Sequence, residues 1–321
     1  MQKLERVNGF LDLDKYFEEV KKNQGYSDLD LFLDEFIKES YYNYGHYWLN
    51  INGEYYYYKW TPDLYEELIV SECAKFLDIN AVEYDLAIFR ETEGVISRSY
   101  RKNGHMYISG MDVLYDYATK KENHDYLEQM GCNIEELIKL DNQNDIAEYI
   151  HNLEIIWQAI EQRYQILKID INIDEIMTKI VKLFCFYILI GQYDGFPQNW
   201  ELDESKQGIT LAPFYDGSAS FGKCCFDPRQ SLAVSFEDKG INNYRILEEF
   251  FKISEQRYYD EFMELYNKFT LVEFMKILKK VETKINKRIP QMTRKRIIDA
   301  FKFNKEEIEK MIERSINNGR R

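Results

Sequence analysis

Three oxygen-bearing side chains follow one another in an order that suits phosphate chemistry. Asp194 and Asn199 stand in Asp194-Gly-Phe-Pro-Gln-Asn199, and Asp216 in Leu211-Ala-Pro-Phe-Tyr-Asp216-Gly. A carboxylate, an amide oxygen shortly after it and a second carboxylate on the next strand form a hard-oxygen set of the kind that takes Mg2+ together with substrate phosphates. In phosphoryl transfer a protein supplies position and charge rather than covalent chemistry, so the further requirement is a cation for the phosphates. Lys59, at the end of the aromatic strand Tyr55–Tyr58, is the candidate, and a helix bearing Glu66 and Glu67 follows closely. Plainer readings exist for each residue. Asp and Asn beside glycine also build turns, a strand lysine is often an edge charge, and Glu66 or Glu72 could stand in for Glu67.

These residues need elements to position them. The run from Tyr44 to Trp60 is rich in aromatics and is divided by Asn52-Gly53, the strongest short hairpin signal. Thr61-Pro62-Asp63 opens a helix, with Asp63, Glu66 and Glu67 at its positive end, running to about Leu77. Strands are expected at Glu83–Phe89 and Gly94–Tyr100. The order strand, strand, helix, strand, strand predicts a small antiparallel sheet with one helix. Beyond Gly104 the periodicity is mostly helical, with expected helices at Ile134–Leu140, Ile146–Leu167, Asp174–Ile190, Tyr244–Phe251, Glu255–Tyr266, Val272–Arg288, Arg294–Phe301 and Lys305–Ile316. Gly191–Lys239 interrupts them with Gly191, Gly195, Pro197, Gly208, Pro213, Gly217, Gly222 and Pro228, and loops of that kind on a rigid scaffold carry chemistry. Residues 1–39 read as a helical N-terminal extension. The division is 1–39, then a lobe over 40–103, then a lobe over 104–321 with the chemistry-bearing loop at 191–222.

Composition narrows the function. A net charge of −14 on 321 residues argues against general nucleic-acid binding. The charge is uneven: residues 276–321 hold fifteen Lys/Arg against six Asp/Glu, a surplus of +9, so the remainder carries −23. The tail's lysines and arginines read as solvated faces, some of them complementing the acidic body. The apolar run Leu183–Ile190 is far too short to span a membrane, and the N-terminus lacks a signal-peptide stretch, so a cytoplasmic protein without membrane contact is expected. Five scattered cysteines, Cys224-Cys225 among them, argue against a disulfide framework or zinc site.

The runs Tyr58-Lys59-Trp-Thr-Pro, Glu66-Glu67-Leu…Ala74-Lys-Phe-Leu-Asp-Ile, Leu189-Ile-Gly-Gln-Tyr-Asp194-Gly-Phe-Pro-Gln-Asn199 and Leu211-Ala-Pro-Phe-Tyr-Asp216 resemble the HipA-like serine/threonine kinases. The resemblance covers the chain from about Tyr44 onward. It implies an α+β, bilobal protein-kinase-like fold with a small N-terminal antiparallel sheet and one helix, and a mostly helical C-terminal lobe. It further implies ATP and Mg2+ as cofactors and a protein Ser/Thr hydroxyl as acceptor. Self-phosphorylation, with Ser40 as a candidate site, and an antitoxin-like protein partner for a toxin-type kinase also follow from it. Carried over, Lys59 contacts the nucleotide phosphates and Glu67 is its helix partner. Asp194 is the catalytic base, Asn199 and Asp216 hold Mg2+, Arg98, Ser99 and Tyr100 form the hinge at the adenine edge, and Gly45 belongs to the phosphate loop. Two departures stand out. Phe196 occupies the place of the family's histidine, and Ser40-Tyr-Tyr-Asn-Tyr-Gly45-His46 has one glycine where family loops have more. They motivate two other readings: a small-molecule or lipid kinase on the same fold, or a nucleotide-binding pseudokinase acting as an interaction module.

Overall fold

The computed structural model describes residues 4–24, 36–39, 45–62, 64–192, 195–221 and 258–318. Its N-terminal part is a seven-stranded sheet in the order β1-β2-β6-β7-β5-β4-β3. The strands are β1 (Arg6–Val7), β2 (Phe10–Asp12), β3 (Ile37–Glu39), β4 (His46–Ile51), β5 (Glu54–Trp60), β6 (Tyr84–Phe89) and β7 (Thr92–Arg98). All neighbours pair antiparallel except β2 with β6, which run parallel. The expected Asn52-Gly53 turn is present, with both residues at positive φ (54° and 82°), the two-residue geometry that matches strand twist.

The segment expected as a helical extension is only partly helical among its described residues. Helix α1 (Leu13–Gln24) is flanked by β1, β2 and β3, all of which join the sheet. Short strands of two or three residues carry almost no period-2 signal, which is why they read as part of the helix. Leu13, Phe17 and Val20 of α1 pack with Tyr47, Leu49, Tyr58, Phe89 and Ile96 on one sheet face. Asp14 of α1 also accepts from the amides of Arg90 and Glu91 (2.6 and 2.8 Å), which fixes a β6–β7 turn whose two residues both lie at positive φ.

Helix α2 (Leu64–Phe76) covers the other face, and Glu66 through Ala74 are all buried. A helix enclosed on every side must have neighbours beyond the sheet. They come from the end of the chain: α10 (Leu271–Lys284) and α11 (Gln291–Asn318). In chain order α2 is followed, before α10, by α3 (Gly110–Ala118), α4 (His124–Gln129), α5 (Ile134–Leu137), α6 (Gln143–Tyr149), α7 (Leu153–Leu167), α8 (Ile173–Ile190) and α9 (Tyr259–Lys268). A second, three-stranded sheet joins β8 (Met106–Ser109), β9 (Glu201–Ser205) and β10 (Gly208–Leu211) in the order β10-β9-β8. The helices expected at 244–251 and the start of 255–266 lie outside the described residues, as do Cys224 and Cys225.

Part of the basic tail meets the acidic body. Lys280 and Lys284 of α10 lie 2.6 and 3.9 Å from the carboxylate of Glu72, and Arg296 of α11 pairs with Glu66. The tail also reaches the first hairpin. Gly9 (φ 91°) sits so close to the residue after α10 that a Cβ there would stand 2.1 Å from the Ile285 carbonyl oxygen, and Lys287 lies over the Phe10 ring. No helix of the described residues is long and apolar enough to cross a membrane.

Candidate functional site: a cleft holding Lys59, Glu67 and Asp216

Alternation along β5 sends Tyr58 into the α1-side core and Lys59 to the opposite face, toward α2. There Lys59 forms an ion pair with Glu67 and donates to Asp216 Oδ1 at 2.7 Å. Lys59 and Glu67 are buried, with 7% and 0% of their side chains exposed, while Asp216 keeps 39%. Burial disfavours the Lys59 ammonium, but the carboxylates of Glu67 and Asp216 outweigh it and hold its pKa well above the ordinary value. For Asp216 burial pushes upward, and the Lys59 charge with hydrogen bonds from Lys59 and Ser218 brings the net below the usual carboxylate range. Glu67 has the reverse balance, since complete burial raises its pKa against the pull of Lys59. Its second oxygen accepts from the Gly217 amide at 2.9 Å. That contact requires the helix to lie close: a Cβ on Gly217 would stand 2.6 Å from a methyl of Val70.

Asp216 is held in an uncommon backbone state, φ 60°, which costs on the order of 1–3 kcal/mol for a non-glycine residue. Its polar atoms are tied down one by one. The amide donates to the Tyr84 hydroxyl (3.3 Å), the carbonyl accepts from Gln192 Nε2 (2.9 Å), and Oδ1 accepts from Lys59 and from Ser218 Oγ (2.7 Å each). Gln192 is anchored in turn by Ser220, whose hydroxyl donates to its amide oxygen. The Ser218 backbone also bonds to this carboxylate, and the partly exposed Asp216 lines the cleft. Sequence reading missed Gln192 and Tyr84. Gln192 lies inside the quoted run from Leu189 to Asn199, whereas Tyr84 is joined to Asp216 only by folding.

The cavity beside these residues measures about 340 Å³, in the range of small-molecule sites. Lys59, Tyr84, Asn199 and Asp216 line it, and so do Arg98, Ser99 and Tyr100. In its lining the Tyr215 and Tyr100 rings stack with centroids 5.7 Å apart, and Tyr100 and Arg101 are both held by Glu201 (2.8 and 2.7 Å). His46 also lines the cavity, directly across the ladder from Lys59, with Nδ1 2.8 Å from the Tyr57 hydroxyl. Gly45, at positive φ (77°), precedes β4. Asp194 and Ser40 lie outside the described residues. Thus Lys59, Glu67 and Asp216 are in direct contact, and Asn199, Arg98, Ser99 and Tyr100 share their cavity.

A metal fits the cavity on the chemistry of its donors. Among the described residues no three of His, Cys, Asp and Glu gather as a metal cage. Asn199 and the partly exposed carboxylate of Asp216 instead offer the sparse oxygen set that suits Mg2+, which keeps waters and phosphate oxygens as its other ligands.

The loop carrying Asn199 stands on a dry post. α8 ends in a left-handed cap at Gly191 (φ 61°), Pro197–Asn199 make one 3-10 turn, and Trp200 is buried against Gly110. The Gly110 amide donates to the Trp200 carbonyl (2.9 Å), and the Trp200 indole donates to His151 Nε2 (3.3 Å). Accepting that bond requires His151 to be neutral, and burial pushes its pKa down to about 3. Between that value and the ordinary 6.5 the unfolded chain binds a proton that the folded chain does not. Stability should therefore fall as pH falls through this window, by up to about 1.4 kcal/mol per pH unit. Urea midpoints at pH 7 and pH 5 check this. His151→Gln, whatever it costs at pH 7, should show a shallower dependence than the wild type.

No protein-family model matches the sequence, and no curated protein does. Among solved structures the chain is similar to the crystal structure of a Helicobacter pylori proinflammatory kinase, CtkA. The TM-score is 0.57 at 16% identity, covering 86% of this chain and 96% of that one. The chain has a kinase fold. The resemblance to HipA-like kinases read from the sequence holds at the level of that fold. A looser likeness, with TM-score 0.36 and 12% identity over 84% of this chain and 69% of the other, is to HipA of Shewanella oneidensis MR-1, whose structure is a complex with HipB and its operator DNA.

Proposed function

We propose that the chain is an ATP-dependent serine/threonine protein kinase of HipA-like type. The observation that carries this reading is the contact of Lys59 with both Glu67 and Asp216 at the wall of a nucleotide-sized cavity. In it, residues 40–103 form the bulk of the N-lobe and residues 104–321 the C-lobe. The adenine edge faces Arg98, Ser99 and Tyr100, and Tyr215 lies beside Tyr100. Lys59 takes the α- and β-phosphates, with Gly45 and its neighbours covering them. Asn199 and Asp216 hold Mg2+, which when bound neutralises charge on the phosphate oxygens. Asp194 orients a Ser or Thr hydroxyl and accepts its proton as the oxygen bonds to the γ-phosphorus. The bond from that phosphorus to the bridging oxygen breaks, and ADP leaves. Self-phosphorylation at Ser40 and an antitoxin-like protein partner belong to the same reading and rest on the sequence resemblance.

Intact-mass spectrometry after incubation with Mg-ATP, followed by site mapping, tests it. The wild type is expected to gain phosphate on Ser or Thr, in itself or in an added protein. Asp194→Asn and Asp216→Asn should each slow transfer by roughly a hundredfold or more, the scale seen when one preorganised charge is removed. Wild-type transfer in both variants overturns the assignment of those residues. A thermal shift with Mg-ATP and no transfer to any hydroxyl overturns the activity in favour of a pseudokinase.

A further inference from the structure

We propose that α10 and α11 form an internal clamp that keeps α2, and with it Glu67, in register with Lys59, and that Arg296 is the positioning residue at its centre. The inference rests on the kinase reading only for its catalytic consequence.

Three elements meet at the Arg296 guanidinium. One arm pairs with Glu66, whose side chain is 3% exposed on α2, and the other donates to the Phe221 carbonyl oxygen at 2.7 Å. Phe221 closes the segment that begins at Asp216, and its own amide is fixed to the Ile190 carbonyl at 2.7 Å, at the end of α8. A single side chain thus ties α2, the Asp216 segment and α11 together. The rigid planar fork of arginine holds both partners in fixed directions, whereas a lysine ammonium is a compact point charge with freely rotating donors. Nearly two turns further along α2, Glu72 faces Lys280 and Lys284 of α10, and Lys284 also donates to the Tyr84 carbonyl oxygen at 2.8 Å. Tyr84 is the residue whose hydroxyl receives the Asp216 amide. Both contact points therefore lead back to the Lys59–Glu67–Asp216 group.

Packing alone would not call for charge at these positions. A buried ion pair replaced by apolar side chains of the same shape is often no less stable, and the best-attested use of such a pair is to fix register. Glu66 illustrates the balance: burial raises its pKa and Arg296 pulls it back. The geometry that matters is close-set, because Gly217 and Val70 leave no room for α2 to slide while Glu67 keeps the Gly217 amide.

Hydrogen exchange of the full chain tests the clamp without reference to activity. In Arg296→Ala the amides of α2 are expected to exchange about tenfold faster or more, while α7 and the first turns of α8 keep their wild-type rates. Arg296→Lys should restore part of that protection, and Lys276→Ala, which breaks a solvent-side pair on α10, should change nothing in α2. If Arg296→Ala does not fold, Glu66→Gln carries the same comparison with the shape of the site preserved. Unchanged protection of α2 overturns the clamp, and so does an equal rise in α7 and α8, which would mark a general loss of stability. Mg-ADP affinity measured on the same samples should fall about tenfold in Arg296→Ala and recover partly in Arg296→Lys. If the wild type binds no nucleotide, the kinase reading fails while the exchange result still decides the clamp.

Discussion

Lys59→Met is expected to lose phosphoryl transfer by at least a hundredfold and to weaken the fold as well. The catalytic part follows from removing a buried cation that faces both Glu67 and Asp216, at a cost on the scale of a lost preorganised donor. The stability part follows from what stays behind. Glu67, fully buried, keeps the Gly217 amide but loses its counter-charge, and breaking a buried pair from one side costs about 3–5 kcal/mol. Glu67 has a partial escape, because its pKa is already raised and it can take up a proton. The loss should therefore lie near the lower end of that range at pH 6 and grow as pH rises. Lys59→Met/Glu67→Gln removes the stranded charge, so it should recover most of the stability and none of the transfer. Urea unfolding at two pH values together with a phosphate-transfer assay separates the two effects. A Lys59→Met variant that unfolds like the wild type and still transfers phosphate would refute the role given to this lysine.

Gly110→Ala should be a strongly damaging single methyl in the C-terminal part of the molecule. An added Cβ would stand 2.1 Å from the Trp200 indole, in a residue that is itself 2% exposed, with its carbonyl oxygen held by the Gly110 amide and its indole N–H by His151. Overpacking a filled core costs about 1–3 kcal/mol, and the upper end is expected where neither neighbour can turn away. Trp200 follows Asn199 directly, so its displacement should also impair Mg2+-dependent nucleotide binding. Gly53→Ala is the contrast. Nothing lies within 4 Å of the added carbon there, and its cost is that of a positive φ in an exposed turn. Thermal unfolding of the two variants side by side, with Mg-ADP titrations, should rank Gly110→Ala well below Gly53→Ala on both measures.

Some of this was legible in the chain and some was not, for identifiable reasons. The β4–β5 hairpin is written in Asn52-Gly53 between aromatic runs, and α2 in Pro62 with its acidic first turn, because both signals are local. The split of the expected 146–167 helix is also local in cause: Asn152 caps α7 by accepting from the Glu154 amide, which ends α6 before it. Two expected helices, 294–301 and 305–316, are one helix, since Asn304 between them is buried with its amide on the Leu189 carbonyl oxygen and does not break α11. α3 was missed although Ser109 and Asp112 make a reciprocal cap that could have announced it. For the candidate site, the residue types Lys, Glu, Asn and Asp were readable from order and spacing. The residues that hold Asp216 in its left-handed state were not, because Tyr84 and Gln192 reach it only through the tertiary fold.

The contact of Gly9 with the Ile285 carbonyl, near the two ends of the described chain, has a consequence for synthesis. A ribosome delivers the Asn8-Gly9 turn, the sheet and α2 long before it delivers α10 and α11. Until then Glu66 and Glu72 have none of their cationic partners, and the first hairpin lacks the surface against which it rests. The nascent protein is accordingly a sheet with an unsecured helix, and its final docking waits on the last portion of the chain. A stalled or truncated product ending before Leu271 should therefore be open to proteolysis at α2 while the released full chain is not.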